Sequence, residues 1–322
     1  MKRRLLNKLA VLGAGALLVG AGHAQTKPIS LVIGYSAGGS ADYIARIVGG
    51  ELSKQLGRTV VIENVVGASG MLAVQKVLNG PADGSLIYMG SSDLMLVPMI
   101  NTKVKIDWER DLLPVGRAST VPMILAVPAS SPYGTMADLF KALRKGGKQT
   151  FSYATPGVGT MQHIYGELIR KQAGVELLHV PYRGGPQITA DLVGGQIDSA
   201  ILVLPTAMPF IKDGKIKALS VLDAAGVPQL PNVRPIGDEE GFKGMVFPLW
   251  HGLFMKAGTP AATVQASEKA LLGALAQPEV RAKLAEGGIT AAPLNGQDLR
   301  AFLKPQSTLY REIVTSAKIA QE

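Results

Sequence analysis

Residues 29–42 read Ile29-Ser30-Leu31-Val32-Ile33-Gly34-Tyr35-Ser36-Ala37-Gly38-Gly39-Ser40-Ala41-Asp42. The first five are mostly β-branched or apolar, as in a buried strand. A glycine-rich turn follows, and then a helical pattern over 41–56. A strand feeding a helix through a short turn is half of a βαβ unit. The pattern repeats, with strand 59–62, helix 70–78 and strand 86–89. Repetition of this kind predicts an α/β fold whose parallel sheet is covered by helices.

Downstream, strands are expected at 113–118, 122–127 and 150–154, with a helix at 136–144. The pattern then restarts: helix 159–173, strand 176–180, helix 188–193, strand 199–202, helix 206–213 and strand 218–222. Two βα lobes are therefore expected. A strand within 245–255 precedes helices at 260–275, 278–286 and 296–320. These last helices lack strands of their own and must bury their apolar faces on an existing sheet, so they are expected to return to the first lobe. That predicts lobe 1 at 25–121 plus 252–322 and lobe 2 at 122–251, with crossings near 120–127 and 245–255 forming a hinge.

The chain has 322 residues, 47% hydrophobic and 18% charged, with 38 Gly and 20 Pro. This composition suits a globular chain rich in turns and argues against disorder or a long coiled coil. The absence of cysteine excludes disulfides, thiolate catalysis, zinc–cysteine sites and iron–sulfur clusters. Residues 1–24 combine four basic residues, an apolar run too short to span a bilayer, and Gly22 and Ala24 around His23. This is the three-part pattern of a secretory leader, with cleavage expected after Ala24 and a periplasmic product. Its removal lowers the formal charge from +9 to +5. The remaining Lys and Arg are scattered, which fits anionic small solutes better than nucleic acid.

The turn at Gly38-Gly39 opens a helix, so it leaves main-chain N–H groups unpaired at the positive end of the helix dipole. Two readings stay open: an anion cradle, or glycines that only make the turn while Ser40 caps the helix. Gly34-Tyr35-Ser36-Ala37-Gly38 also matches the G-x-S-x-G nucleophile elbow, but here it follows the first strand and not several. A secreted hydrolase using Ser36 is thus the alternative function. A second turn, Thr155-Pro156-Gly157-Val158-Gly159-Thr160, leads toward His163, and Gln162 stands where a dinucleotide motif needs its third Gly. Its hydroxyls and amides suit a carboxylate. The dispersed histidines show no metal spacing, and neither cofactor nor catalytic residue is assigned.

The chain resembles the Bug-type extracytoplasmic solute receptors of tripartite tricarboxylate transporters. The resemblance runs from about residue 27 to the C-terminus. Its landmarks in the first half are Gly38-Gly39-Ser40-Ala41-Asp42, Val61-Ile62-Glu63-Asn64, Gly67-Ala68-Ser69-Gly70 and Ala82-Asp83-Gly84. Further on come Tyr153-Ala154-Thr155-Pro156-Gly157, His179-Val180-Pro181-Tyr182-Arg183-Gly184-Gly185, Asp191-Leu192-Val193-Gly194-Gly195-Gln196-Ile197-Asp198 and Ala257-Gly258-Thr259-Pro260. The resemblance implies a two-lobed, type II-like periplasmic binding fold with paired hinge strands, closing on a small carboxylate. It nominates Tyr35, Gly38, Gly39, Ser40 and Asp42 from the first loop, and Thr155, Gly157, Gly159, Thr160 and His163 from the second. Ser91 and Ser92 would line the floor, and Tyr182 and Arg183 the far wall. Departures from the family pattern at Ser36, Ala37, Val65, Met161, Gln162, Leu202 and Val203 imply a more apolar far end. An aromatic or aliphatic mono- or dicarboxylate is the expected ligand. The expected partners are the membrane subunits of a transporter, or a sensor if the receptor signals, and the expected state is monomeric.

Overall fold

The computed structural model describes residues 27–146, 150–239, 241–243, 249–316 and 319. The leader expected at 1–24 lies outside the described residues.

Strand β1 (Ile29–Ile33) leads through the Gly34–Gly39 turn into α1 (Ser40–Leu56). α1 stops at Gly57, whose φ of 59° lets its N–H turn back to the Lys54 carbonyl. Next come β2 (Val60–Asn64), α2 (Met71–Asn79), β3 (Leu86–Ser91), α3 (Asp93–Ile100) and the single-turn α4 (Trp108–Asp111). Strand β4 (Leu112–Val121) is followed after Pro122 by β5 (Met123–Pro128) and then α5 (Met136–Arg144). The second repeat runs β6 (Phe151–Thr155), α6 (Met161–Ala173), β7 (Leu177–Pro181), α7 (Gly185–Val193), β8 (Ser199–Val203), α8 (Leu204–Lys212) and β9 (Ile216–Val221). The chain closes with β10 (Leu249–Lys256), α9 (Ala261–Ala276), α10 (Pro278–Glu286), β11 (Thr290–Asn295) and α11 (Gly296–Ser316).

Two sheets result, with strand orders β11-β4-β10-β3-β1-β2 and β7-β6-β8-β5-β9. The expected parallel core is present where β1 pairs with β2 and β3, and where β6 pairs with β7 and β8. The sheets are nevertheless mixed. β10 runs antiparallel to β3 and β4, and β5 runs antiparallel to β8 and β9. The cause is local: Pro122 separates β4 from β5 without a crossover helix, so the chain passes straight from one sheet into the other. The return passage lies between Val221 and Leu249, partly outside the described residues, and β10 itself belongs wholly to the first sheet.

Three elements were not legible in the pattern. Helix α3 is apolar on nearly every side and is buried throughout most of its length, so it carries no amphipathic stripe. Helix α4 is only one turn long, too short to show a period. Strand β11 contains Pro293 and shifts register between Ala291 and Leu294, features tolerated at the sheet edge it occupies. The C-terminal helices therefore do have a strand among them. They still pack on the first sheet, α9 against α1 and β4, and α11 against β4 and α3. Trp250 on β10 is fully buried there, between Phe254 and Phe302.

Candidate functional site

Three helices begin at one place between the sheets. The N-caps of α1, α7 and α8 are Gly39, Gly184 and Val203, and no side chain caps any of them. First-turn N–H groups are left without intrahelical partners, each helix presenting roughly half a positive charge. The starts touch one another. A Cβ added at Gly184 would lie 2.1 Å from Ser36 Oγ, and one at Gly185 would lie 2.9 Å from Thr206 Cγ2. Gly38 has φ of 84°, and a Cβ there would meet Pro186 at 3.5 Å. Glycine at these positions is what permits the approach.

These starts form one end of a cavity of about 520 Å³, part of it open to solvent. Gly39, Ser40, Ala41, Gly184, Gly185 and Thr206 line that end, and Ile201, Leu202, Val203 and Leu249 form an apolar wall. Ser91, Asp93, Gln162 and His251 form the remainder. β10 places His251 opposite Ser91 in register, which brings the imidazole to the floor. Four buried polar atoms on the lining have no hydrogen-bond partner: Ser36 Oγ, Thr206 Oγ1, Gln162 Oε1 and His251 Nδ1. Buried polar groups are normally paired, so four orphans around one cavity mark it as built for a guest. Burial pushes the His251 imidazole down to about 4, so it is neutral at pH 7.

The second glycine-rich loop behaves differently from expectation. Its amides are bonded within the loop. Gly157 N–H donates to Thr155 Oγ1 at 3.3 Å, Gly159 N–H to His163 Nδ1 at 3.2 Å, and His163 N–H to Thr160 Oγ1 at 3.3 Å. The Met161 N–H at the start of α6 donates to Asp93 Oδ1 at 2.9 Å, so a carboxylate from the first sheet's side already occupies that helix start. Tyr35 OH donates to the other oxygen of Asp93. Burial pushes the Asp93 carboxyl above its usual range, against the hydrogen bonds from Tyr35, Met161 and Ser91 that favour its charged form. Beside this contact, Ser69 Oγ donates to the Val158 carbonyl at 2.7 Å. Ala68 and Ser69 both have positive φ, at 47° and 51°, which is uncommon for residues with side chains. The two sheets' loops are thus latched together at Asp93 and at Ser69.

Of the fourteen residues nominated from sequence, the cavity lining includes Tyr35, Gly39, Ser40 and Ser91. Gly38 and Asp42 stand behind it. Asp42 accepts from Gly38 N–H at 3.0 Å, from Arg46 at 2.9 Å and from Asn64 at 3.2 Å. Burial opposes its charge, yet these bonds hold its carboxyl below the usual range. Asp42 is therefore a brace for the turn. Ser92 is fully buried at the start of α3. Thr155, Thr160 and His163 bond within their own side of the site, with Thr155 Oγ1 at 2.6 Å from His179 Nε2 and the His163 ring stacked on His179, while Gly157 and Gly159 lie against Ser69 and Val97. Tyr182 and Arg183 line a separate, open cleft beside Ser69, and Tyr182 OH donates to Asp191 at 2.6 Å. Sequence reading missed Thr206, Asp93 and His251 as lining groups, and placed Gln162 only among the departures that shape the far end. The available signal for Thr206 was a third strand-to-helix junction at Leu204-Pro205. His251 sits mid-sheet on an antiparallel strand and gave none.

A family model described as the tripartite tricarboxylate transporter family receptor matches residues 44–319. The chain belongs to this receptor family. A protein from the tcbD-tcbE intergenic region of Pseudomonas sp. (strain P51) is 32% identical over 295 residues, which cover 91% of this chain and 87% of the relative. Among solved structures, the periplasmic binding protein BugD superposes with a TM-score of 0.87 at 28% identity, covering 92% of this chain and 99% of that one. An R. palustris protein solved with adipate gives 0.87 at 27% identity, with the same coverage. The receptor's fold is the two-lobed periplasmic binding fold, and the family is one of receptors, not enzymes. The hydrolase alternative fails in this receptor on its own geometry too. Among the described residues, Ser36 Oγ and His251 Nδ1 both line the cavity without a hydrogen-bond partner, so no hydrogen bond joins Ser36 to a base there.

Proposed function

We propose that this receptor works in the periplasm after loss of residues 1–24, capturing a small aromatic or aliphatic carboxylate for the membrane subunits of a tripartite transporter. The carrying observation is the convergence of three uncapped helix starts on a cavity that also holds the unpartnered Ser36 and Thr206 hydroxyls. Helix N–H groups and hydroxyls together offer a carboxylate several charge-assisted hydrogen bonds without a single cationic side chain. The adipate-bound relative supports a carboxylate ligand.

Capture is a matter of closure. Ser36 and Ser40 approach from one lobe, Gly184, Gly185 and Thr206 from the other, so a bound anion gains its full set of donors only when the lobes meet. That difference in contacts is what shifts the population toward the closed form. Pro122 and the passage before Leu249 are the proposed hinge; the lobe limits expected at 25–121 plus 252–322 and 122–251 shift at the second crossing, because β10 from Leu249 onward lies in the first sheet. Among the described residues, no helix is long and apolar enough to cross a membrane.

Calorimetric titration of the purified protein with a carboxylate panel, paired with small-angle scattering, tests this reading. Saturable binding with compaction of the particle supports it. No heat and no compaction with any member of the panel overturns it.

A further inference from the structure

The cavity has two chemically different ends. At one, the starts of α1, α7 and α8 meet around Ser36 and Thr206. At the other stand Asp93, Gln162 and His251, beside the apolar run Ile201–Val203 and Leu249. Among the described residues, no Lys or Arg lines either end. The positive potential along the lining therefore comes from the helix starts, chiefly those of α1 and α7, because at the start of α8 the Leu204 N–H is already donated to the Pro122 carbonyl at 2.9 Å and Pro205 has none.

A second carboxylate at the far end would meet no compensating charge. It would face the Asp93 carboxyl, the Gln162 Oε1 acceptor and an imidazole that burial keeps neutral. The start of α6, which could have supplied a fourth set of amides, is occupied by Asp93 through the Met161 N–H at 2.9 Å. Placing an unpaired charge against an apolar wall is costly. Gln162 and His251 nevertheless leave buried polar atoms unsatisfied there, and an uncharged polar group on the guest would satisfy them.

Resting on the carboxylate reading above, we infer that this cavity selects monocarboxylates whose far end is uncharged and hydrogen-bonding, such as a hydroxyl, over dicarboxylates of the same length. This differs from the R. palustris relative solved with adipate, a dicarboxylate.

The test is a set of matched pairs titrated at pH 7.5: butyrate against succinate, hexanoate and 6-hydroxyhexanoate against adipate, benzoate and 4-hydroxybenzoate against terephthalate. In every set that binds, the monoanion is expected to be at least tenfold tighter than the dianion, and in the two sets that include a hydroxylated member that member is expected to be tightest. A dianion that binds as tightly as its matched monoanion overturns the inference and leaves the carboxylate reading standing. Failure of every member to bind overturns the carboxylate reading itself. As a second arm, Gln162→Arg places a cation at the far end and is expected to raise adipate relative to hexanoate at least tenfold. A folded Gln162→Arg variant that leaves this ratio unchanged counts against the inference.

Discussion

The contact between Ser36 and Gly184 offers a way to block closure while sparing the fold. Gly184 has an extended backbone with φ of 162°, so alanine there brings no left-handed strain. Its new Cβ would nevertheless lie 2.1 Å from Ser36 Oγ and 3.3 Å from Ser36 Cβ. Those atoms belong to the opposite lobe, so the clash exists only when the lobes meet. Overpacking of this size costs about 1–3 kcal/mol. Because the cost falls on the closed form alone, Kd for the bound carboxylate is expected to rise roughly 5- to 150-fold. The melting temperature without ligand should change little. Adding Ser36→Ala to Gly184→Ala removes the nearest atom and should recover most of the affinity, less the contribution of one hydroxyl. Isothermal titration of wild type, Gly184→Ala and the double variant reads the effect, with scattering to report compaction. A Gly184→Ala protein that binds within twofold of wild type, or a double variant no better than the single, refutes the reasoning.

Other outcomes follow from the same geometry. Thr206→Val keeps the shape and removes a hydroxyl expected to bond a charged ligand, so affinity should fall by about 1.5–3 kcal/mol, read by calorimetry. Ser69→Ala removes the bond to the Val158 carbonyl that ties the lobes. Without ligand, the variant should populate more open particles, seen as a larger radius of gyration, with a cost of roughly 0.5–1.5 kcal/mol to closure. Stability should depend on pH through His251, held at about 4 in the folded state against 6.5 ordinarily. The unfolded chain then binds more protons between those values, so stability is complete above pH 6.5 and falls by roughly 3 kcal/mol as pH drops toward 4. Urea unfolding at pH 4.5 and 7 should show this slope, and His251→Gln should reduce it, leaving the part due to His179, which burial and the neighbouring His163 push down to about 3.

The strand-and-helix alternation made most of the fold legible, because β1 to β3 and β6 to β8 carry apolar runs bounded by glycine turns. Features set by long-range pairing were hidden. The antiparallel β10 and the edge strand β11 have partners distant in sequence, and α3 is too uniformly apolar to show a face. The structure puts Gly39 and Ser40 of the first turn on the cavity lining, where an uncapped helix start advertises its amides. The second turn was misread for a physical reason: Thr155, Thr160 and His163 are themselves hydrogen-bonding groups, and they satisfy their own loop before any ligand arrives. Asp93 follows the nominated Ser91 and Ser92, but only the three-dimensional structure shows it spanning the lobes to Met161.

The central claim is that one carboxylate sits where the starts of α1, α7 and α8 converge. A crystal structure of the receptor with the tightest-binding carboxylate of the panel tests it most directly. The account predicts carboxylate oxygens within hydrogen-bond distance of main-chain N–H groups in the first turns of α1 and α7 and of Thr206 Oγ1. A carboxylate seated instead on the Thr155–Thr160 loop, or a cavity left empty beside ligand bound elsewhere, contradicts it.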